Sequence, residues 1–198
     1  SYRGGDNRLE KDLEQSHFIL GWEGLSRTHK DHHTAQILST LLGGGMSSRL
    51  FQEIREKRGL VYSIFSSHSG FKDSGQFTIY AGTGPEHLST LVPLVCEEIR
   101  KVIKEADDSE VSRARAQIKS GLLIGQESMM ARADMQARNL IHKGEMLDIS
   151  RLVAEIEAIT KNDVRRVAET IFSRIPTVAA LGPLKGLESY EKIAGALR

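Results

Sequence analysis

The stretch Leu41-Leu42-Gly43-Gly44-Gly45-Met46-Ser47-Ser48-Arg49-Leu50-Phe51-Gln52-Glu53-Ile54-Arg55-Glu56-Lys57-Arg58-Gly59-Leu60-Val61-Tyr62-Ser63 changes its local preference repeatedly within a short span. Leu41 and Leu42 end a helical stripe that begins at about Asp31 and includes Ala35 and Leu38. Three successive glycines then make further helix too costly in backbone entropy. Ser47 or Ser48 can cap a second helix through about Arg58, with Leu50, Phe51 and Ile54 on its apolar side and Gly59 as its stop. From Tyr62 the pattern is that of a strand.

Working outward, residues 1–14 are polar, and Gln15 to Trp22 then places Phe18, Leu20 and Trp22 on one face and His17 and Ile19 on the other. Apolar groups on both faces predict an interior strand. Tyr62–Ser69 and Gln76–Ala81, joined by Lys72-Asp73-Ser74-Gly75, read as an antiparallel hairpin. Thr83-Gly84-Pro85-Glu86 has the form of a capping box before a helix carrying Leu88, Leu91, Val92, Val95 and Ile99, with Pro93 expected to kink it. Further helical patterns begin at Asp107, Met129, Ile149 and Thr160, and Thr177–Leu181 is a short strand closed by Gly182-Pro183. Strands precede a run of helices and one strand returns, which argues for an α+β architecture: helices packed on one face of a mainly antiparallel sheet. There is no internal repeat or linker, so residues 1–198 are expected to form one domain.

Composition narrows the function. Lys and Arg number 27 against 26 Asp and Glu, a net charge of +1, so the chain lacks the basic field of a nucleic-acid binder. No apolar run approaches the roughly 18–20 residues of a membrane span, and the opening residues carry no signal-peptide pattern. One cysteine, Cys96, excludes an internal disulfide and suits a reducing compartment; its place beside an apolar stripe predicts a buried, inert thiol. Ser1 in place of Met suits an excised piece.

The densest group of potential ligands is His29-Lys30-Asp31-His32-His33. On a helix His29 and His33 would share a face, as in zinc helices. No His-Glu-x-x-His or His-x-x-Glu-His accompanies them, so a polar loop and an exposed first helical turn is the simpler reading. The spacing of Gly43, Gly44 and Gly45 does not fit a phosphate loop, since no GxxxxGK[ST] is present. They read as a helix connector or as a place where backbone comes close to a peptide, with positive φ expected. His17, His68, His87 and His142 are scattered and read as surface or satisfied packing, and Met129, Met130, Met135 and Met146 as packing.

The segment from Leu41 to Ser63 resembles the second homologous domain of the pitrilysin-type zinc peptidases, in the branch of the mitochondrial processing peptidases and their bacterial relatives. Asp12–His17, Gly75–Phe77, Gly82-Thr83, Glu110–Leu123 and Ile159-Thr160 with Asp163-Val164 agree with it, so the likeness covers nearly the whole chain. It implies a sheet of about five or six strands with helices on one face, repeated in homologous domains that close like a clamshell. In active members the first domain carries His-x-x-Glu-His and a distal Glu, which hold zinc. Those residues are missing here, so the resemblance implies the carboxyl-terminal, non-zinc domain, with no metal or cofactor of its own and no activity alone.

The resemblance also assigns the candidate site. In the family an arginine and a tyrosine seven positions later face the zinc across the cleft, and Arg55 and Tyr62 stand at that spacing. A tyrosine hydroxyl can donate to the scissile oxygen as charge develops, and an arginine fork can hold substrate carbonyls or a carboxylate. Read without the family, they are a helix-end cation and a packed strand tyrosine. The implied function is to close the cleft of a zinc endopeptidase and position substrate. The alternatives are a non-catalytic homologue acting as a peptide-binding or assembly subunit, and a metal hydrolase built on His29, His32 and His33. Expected partners are a peptide or unfolded protein segment and the zinc-bearing domain or subunit of the same family; nucleic acid is not expected, and a homodimer is left open. The expected compartment is the bacterial cytoplasm, with the mitochondrial matrix second.

Overall fold

A computed structural model describes residues 2–197. Its centre is a five-stranded sheet built from β1 (Gly5–Glu10), β2 (Ser16–Glu23), β3 (Val61–Gly70), β4 (Gly75–Thr83) and β5 (Thr177–Gly182), in the order β1-β5-β2-β4-β3. The β2–β4, β2–β5 and β3–β4 pairs are antiparallel, whereas β1 runs parallel to β5, so the sheet is mixed. The α+β expectation holds; the parallel edge is the addition. β1 has the sequence Gly-Asp-Asn-Arg-Leu-Glu, mostly exposed, and its partner lies at the far end of the chain. It carries no alternating apolar signal that would mark it locally.

β2 is interior, as its two apolar faces imply, and is the central strand of the sheet. Phe18, Leu20 and Trp22 are fully buried, and β4 supplies Phe77, Ile79 and Ala81 to the same face. Helices α1 (His32–Gly43), α2 (Leu88–Glu105) and α6 (Lys161–Phe172) contribute the buried groups that complete the core. Phe172 meets Trp22 and Phe77 edge-on, with ring centroids 4.9 and 5.2 Å apart, the arrangement that aromatic quadrupoles favour. The other face of the sheet carries the in-register row Ile19, Tyr80 and Phe65, with Phe65 stacked on Tyr80 at 5.0 Å.

Two helix starts follow the sequence closely. Asp107 and Glu110 form a reciprocal capping box at α3 (Asp108–Gly125), and Thr160 and Asp163 do so at α6. Glu110 also takes the Arg49 guanidinium at 2.6 and 2.7 Å, which ties the glycine-led segment to α3. Gly144 ends α4 (Met129–Lys143) at φ 76°, and α5 (Ile149–Ala158) and α7 (Tyr190–Ala196) complete the helical set. The expected box at Thr83 is not made: Thr83 ends β4, and its hydroxyl bonds the Leu60 carbonyl instead. Pro93 lies in the second turn of α2, which continues to Glu105.

The glycine run needs a correction. Gly43, Gly44 and Gly45 all have negative φ; positive φ occurs at Gly59, Gly144, Gly182 and Gly186. What Gly43 permits is close approach: a Cβ there would lie 2.4 Å from the Ser66 backbone nitrogen on β3. Ser66 in turn bonds the Ser39 carbonyl at 2.7 Å, fixing α1 on the strand. At Gly45 the nearest atom to a Cβ would be Gln117 Nε2, at an ordinary 3.4 Å. Gly43→Ala is therefore expected to cost about 1–3 kcal/mol, the scale of overpacking, and Gly45→Ala to cost little. Urea unfolding of both variants checks this, and equal costs would remove close approach as the reason for Gly43.

Candidate functional site

Three backbone irregularities follow one another between Phe51 and Ser63. The predicted second helix is present, but its Phe51–Glu56 turn is π-helical, and Arg55 lies in it. Gly59 then reverses the chain at φ 62°. In β3 the register shifts between Val61 and Ser63, which pair with Thr83 and Gly82 and leave Tyr62 unpaired. Wide helical turns and β-bulges both re-aim side chains, and both recur at functional sites. Tyr62 is 61% exposed on the sheet's edge strand.

The polar groups at this corner divide cleanly. Glu53 is held by Lys57 and Arg58, whose hydrogen bonds keep its carboxyl below the usual range. Arg55 instead lays its guanidinium over the Phe51 ring at 4.8 Å, a cation–π contact that leaves its N–H donors unspent. Among the described residues neither the Arg55 guanidinium nor the Tyr62 hydroxyl makes a hydrogen bond, to each other or to any other group. The glycine run adds no ligand space of its own, since the pocket beside it measures only about 10 Å³.

The histidine-rich segment differs from its expectation. His29 lies outside α1, and its Nδ1 accepts the Asp31 N–H, so it does not share a helical face with His33. Asp31 and His32 are buried rather than exposed, because Arg166 pairs with the Asp31 carboxylate and His32 turns inward. His32, Ala35, Ser39 and Leu42 lie on one helical stripe, a signal that was present in the sequence. His68 and His142, expected to be unrelated, meet this segment in one cavity. Their chain positions gave no hint of it. Among the described residues no three His, Cys, Asp or Glu side chains could hold a metal ion. The residues present therefore do not fit the zinc of the homologous domain.

Two further expectations divide. Cys96 is fully buried, with its thiol pushed up to about 11 by burial, in keeping with an inert group. Of the four methionines read as packing, Met129, Met130 and Met146 are exposed instead, whereas Met135 is half-buried beside Gln126; α4 buries no residue fully. Its Leu140 and Ile141 are exposed as well, so the helix presents apolar groups to its surroundings.

The chain is similar to several known proteins. A protein of Streptomyces coelicolor named an uncharacterized zinc protease is 40% identical over 178 residues, which are 89% of this chain and 39% of that protein. One of the same description in Rickettsia felis is 39% identical, over 92% of this chain and 44% of its own length. The chain thus spans less than half the length of these relatives. Its fold superposes on a chain of complex III2 from Candida albicans with a TM-score of 0.90 at 19% identity, covering all of this chain and 50% of that one. A protease from Helicobacter pylori gives 0.82 at 25% identity, over 90% of this chain and 44% of that one. No helix among the described residues is long and apolar enough to cross a membrane. Residues 2–118 match the family described as the peptidase M16 inactive domain, and the chain belongs to that family.

Proposed function

We propose that this chain is the non-zinc half of a zinc endopeptidase, folded as one domain, and that it closes the cleft over a peptide or unfolded segment. The observation that carries the reading is the Phe51–Ser63 corner, where a π-turn, a left-handed glycine and a β-bulge present two unspent donors, Arg55 and Tyr62. Fixed donors of this kind suit a substrate whose scissile oxygen gains negative charge. Tyr62 donates its hydroxyl proton toward that oxygen. Arg55 holds a substrate carbonyl or carboxylate in its planar fork. The zinc belongs to the partner domain, as the relatives' description as zinc proteases supports. Bacterial relatives favour a bacterial cytoplasm for the whole.

The exposed apolar groups of α4 are the surface proposed to meet the zinc-bearing half. Met130 and Ile141 are 80% and 76% exposed, more apolar surface than one helix needs to show to water. Ile141→Glu is expected to weaken that pairing at least tenfold while leaving the fold intact, because the side chain touches little of this domain. Analytical ultracentrifugation of this chain with the zinc-bearing domain, wild type against variant, measures it. Equal association would remove α4 from the interface, and no association of the wild-type pair would favour the non-catalytic reading.

A further inference from the structure

The histidines gathered behind α1 line a cavity that the peptidase reading does not use. One lobe, of about 360 Å³, is lined by His32, His68 and His142 together with Arg27, Lys72 and Arg138. The adjoining lobe, of about 300 Å³, shares Arg27, His32 and Arg138, adds His33 and Lys143, and is walled by Ile118, Leu122, Leu152 and Ile156. Volumes of this order are those of small-molecule sites, which pair an apolar wall with a few convergent polar groups. Among the described residues no carboxylate lines either lobe.

At the polar end several buried ring nitrogens have no partner among the described residues. His68 Nε2 accepts the Leu25 N–H at 3.1 Å, so in the neutral ring the proton sits on Nδ1. That Nδ1–H is buried and has no partner among the described residues. His32, only 6% exposed, has a buried and unpartnered Nδ1, and the same holds for His142 Nδ1. Buried polar atoms without partners are rare in folded proteins. Lys72 and Lys143 make no ion pair among the described residues, and Arg27 has only a long 3.5 Å bond to the Gly70 carbonyl. Arg138 is paired with Asp134 at 2.7 Å. The carboxylates nearby are already engaged, Asp31 by Arg166 and Glu155 by Arg151. Cations and unpartnered imidazole nitrogens therefore face one space, with no free carboxylate among the described residues to receive them.

From this geometry we infer that the cavity binds an organic carboxylate carrying an apolar chain. The carboxylate lies between Arg27, Lys72 and the His32 and His68 rings, and the chain lies against Leu122, Leu152 and Ile156. Such a ligand has two sources, a fatty acid or an apolar peptide segment ending in its free carboxylate. The site is separate from the Arg55–Tyr62 corner and does not depend on its role: none of the residues of that corner lines either lobe.

Titration calorimetry and ¹⁵N imidazole spectra of this chain test it with octanoate, octanol, inorganic phosphate, and one short apolar peptide in free-acid and amidated forms. Saturable octanoate binding is expected, with the His32 and His68 resonances moving, and octanol binding at least tenfold weaker. Arg27→Gln should weaken octanoate at least tenfold. Lys72→Gln, at an exposed position, should do so several-fold and serves if the Arg27 variant does not fold. A free-acid peptide that outbinds both its amide and octanoate identifies a peptide end as the source, and the reverse identifies a fatty acid. The inference is overturned if octanoate does not saturate, if octanol or phosphate binds equally well, if zinc binds stoichiometrically to the same histidines, or if neither variant changes affinity.

Discussion

Removing one oxygen from Tyr62 is expected to lower kcat of the intact enzyme about 10- to 1,000-fold, the scale for losing a single donor to a developing oxyanion. Tyr62→Phe keeps the ring, and the hydroxyl makes no bond among the described residues, so the fold and the zinc content should not change. The effect should fall on kcat more than on KM, because the charge appears only as the bond breaks. Arg55→Lys keeps the charge but loses the fork; a rise in KM with a smaller or comparable loss of rate is the expected result. Steady-state cleavage of a fluorogenic peptide, with zinc content and Tm measured alongside, distinguishes these. Wild-type rates in folded, zinc-loaded variants would return both residues to a surface cation and an edge tyrosine.

Acid should weaken this fold well before its carboxylates titrate. Burial, together with the neighbouring His33, His68, Arg27 and Lys143, holds the His32 imidazole down to about 3, and burial holds His68 down to about 4. Both rings ordinarily titrate near 6.5. The unfolded chain therefore takes up these protons first. Their contribution to stability is complete above about pH 6.5 and is lost as the pH falls through that value toward 4 and 3. For His32 alone the loss between pH 6.5 and pH 5 is about 2 kcal/mol. Urea unfolding at pH 7 and pH 5, in buffers free of carboxylates, should show a drop of at least that size, and His32→Gln should flatten the slope. Equal stability at the two pH values would mean that the histidines are protonated in the folded protein without cost.

The sequence was most readable where local chemistry and burial agree. β2 was legible because Phe18, Leu20 and Trp22 alternate and all go inside. The starts at Asp107 and Thr160 were legible because a capping box is a short-range device. β1 was not, since an exposed edge strand needs no apolar pattern and its register is set by β5, brought in from the other end of the chain. For the candidate site, Arg55 and Tyr62 could be named, but the π-turn and the β-bulge that carry them could not. Both depend on how one element seats against another, as Gly43 does in meeting Ser66. The histidine cavity was illegible for the same reason: α1, β3 and α4 each supply part of it, and no one segment shows more than a fragment.

The most direct test of the central claim is chelator-sensitive peptide cleavage measured three ways: with this chain alone, with the zinc-bearing domain alone, and with the two together. The account predicts no cleavage and no stoichiometric zinc for this chain alone, little for the zinc-bearing domain alone, and restored cleavage for the pair, lost again with Tyr62→Phe. Cleavage by this chain alone, or a pair no more active than the zinc-bearing domain by itself, would contradict it.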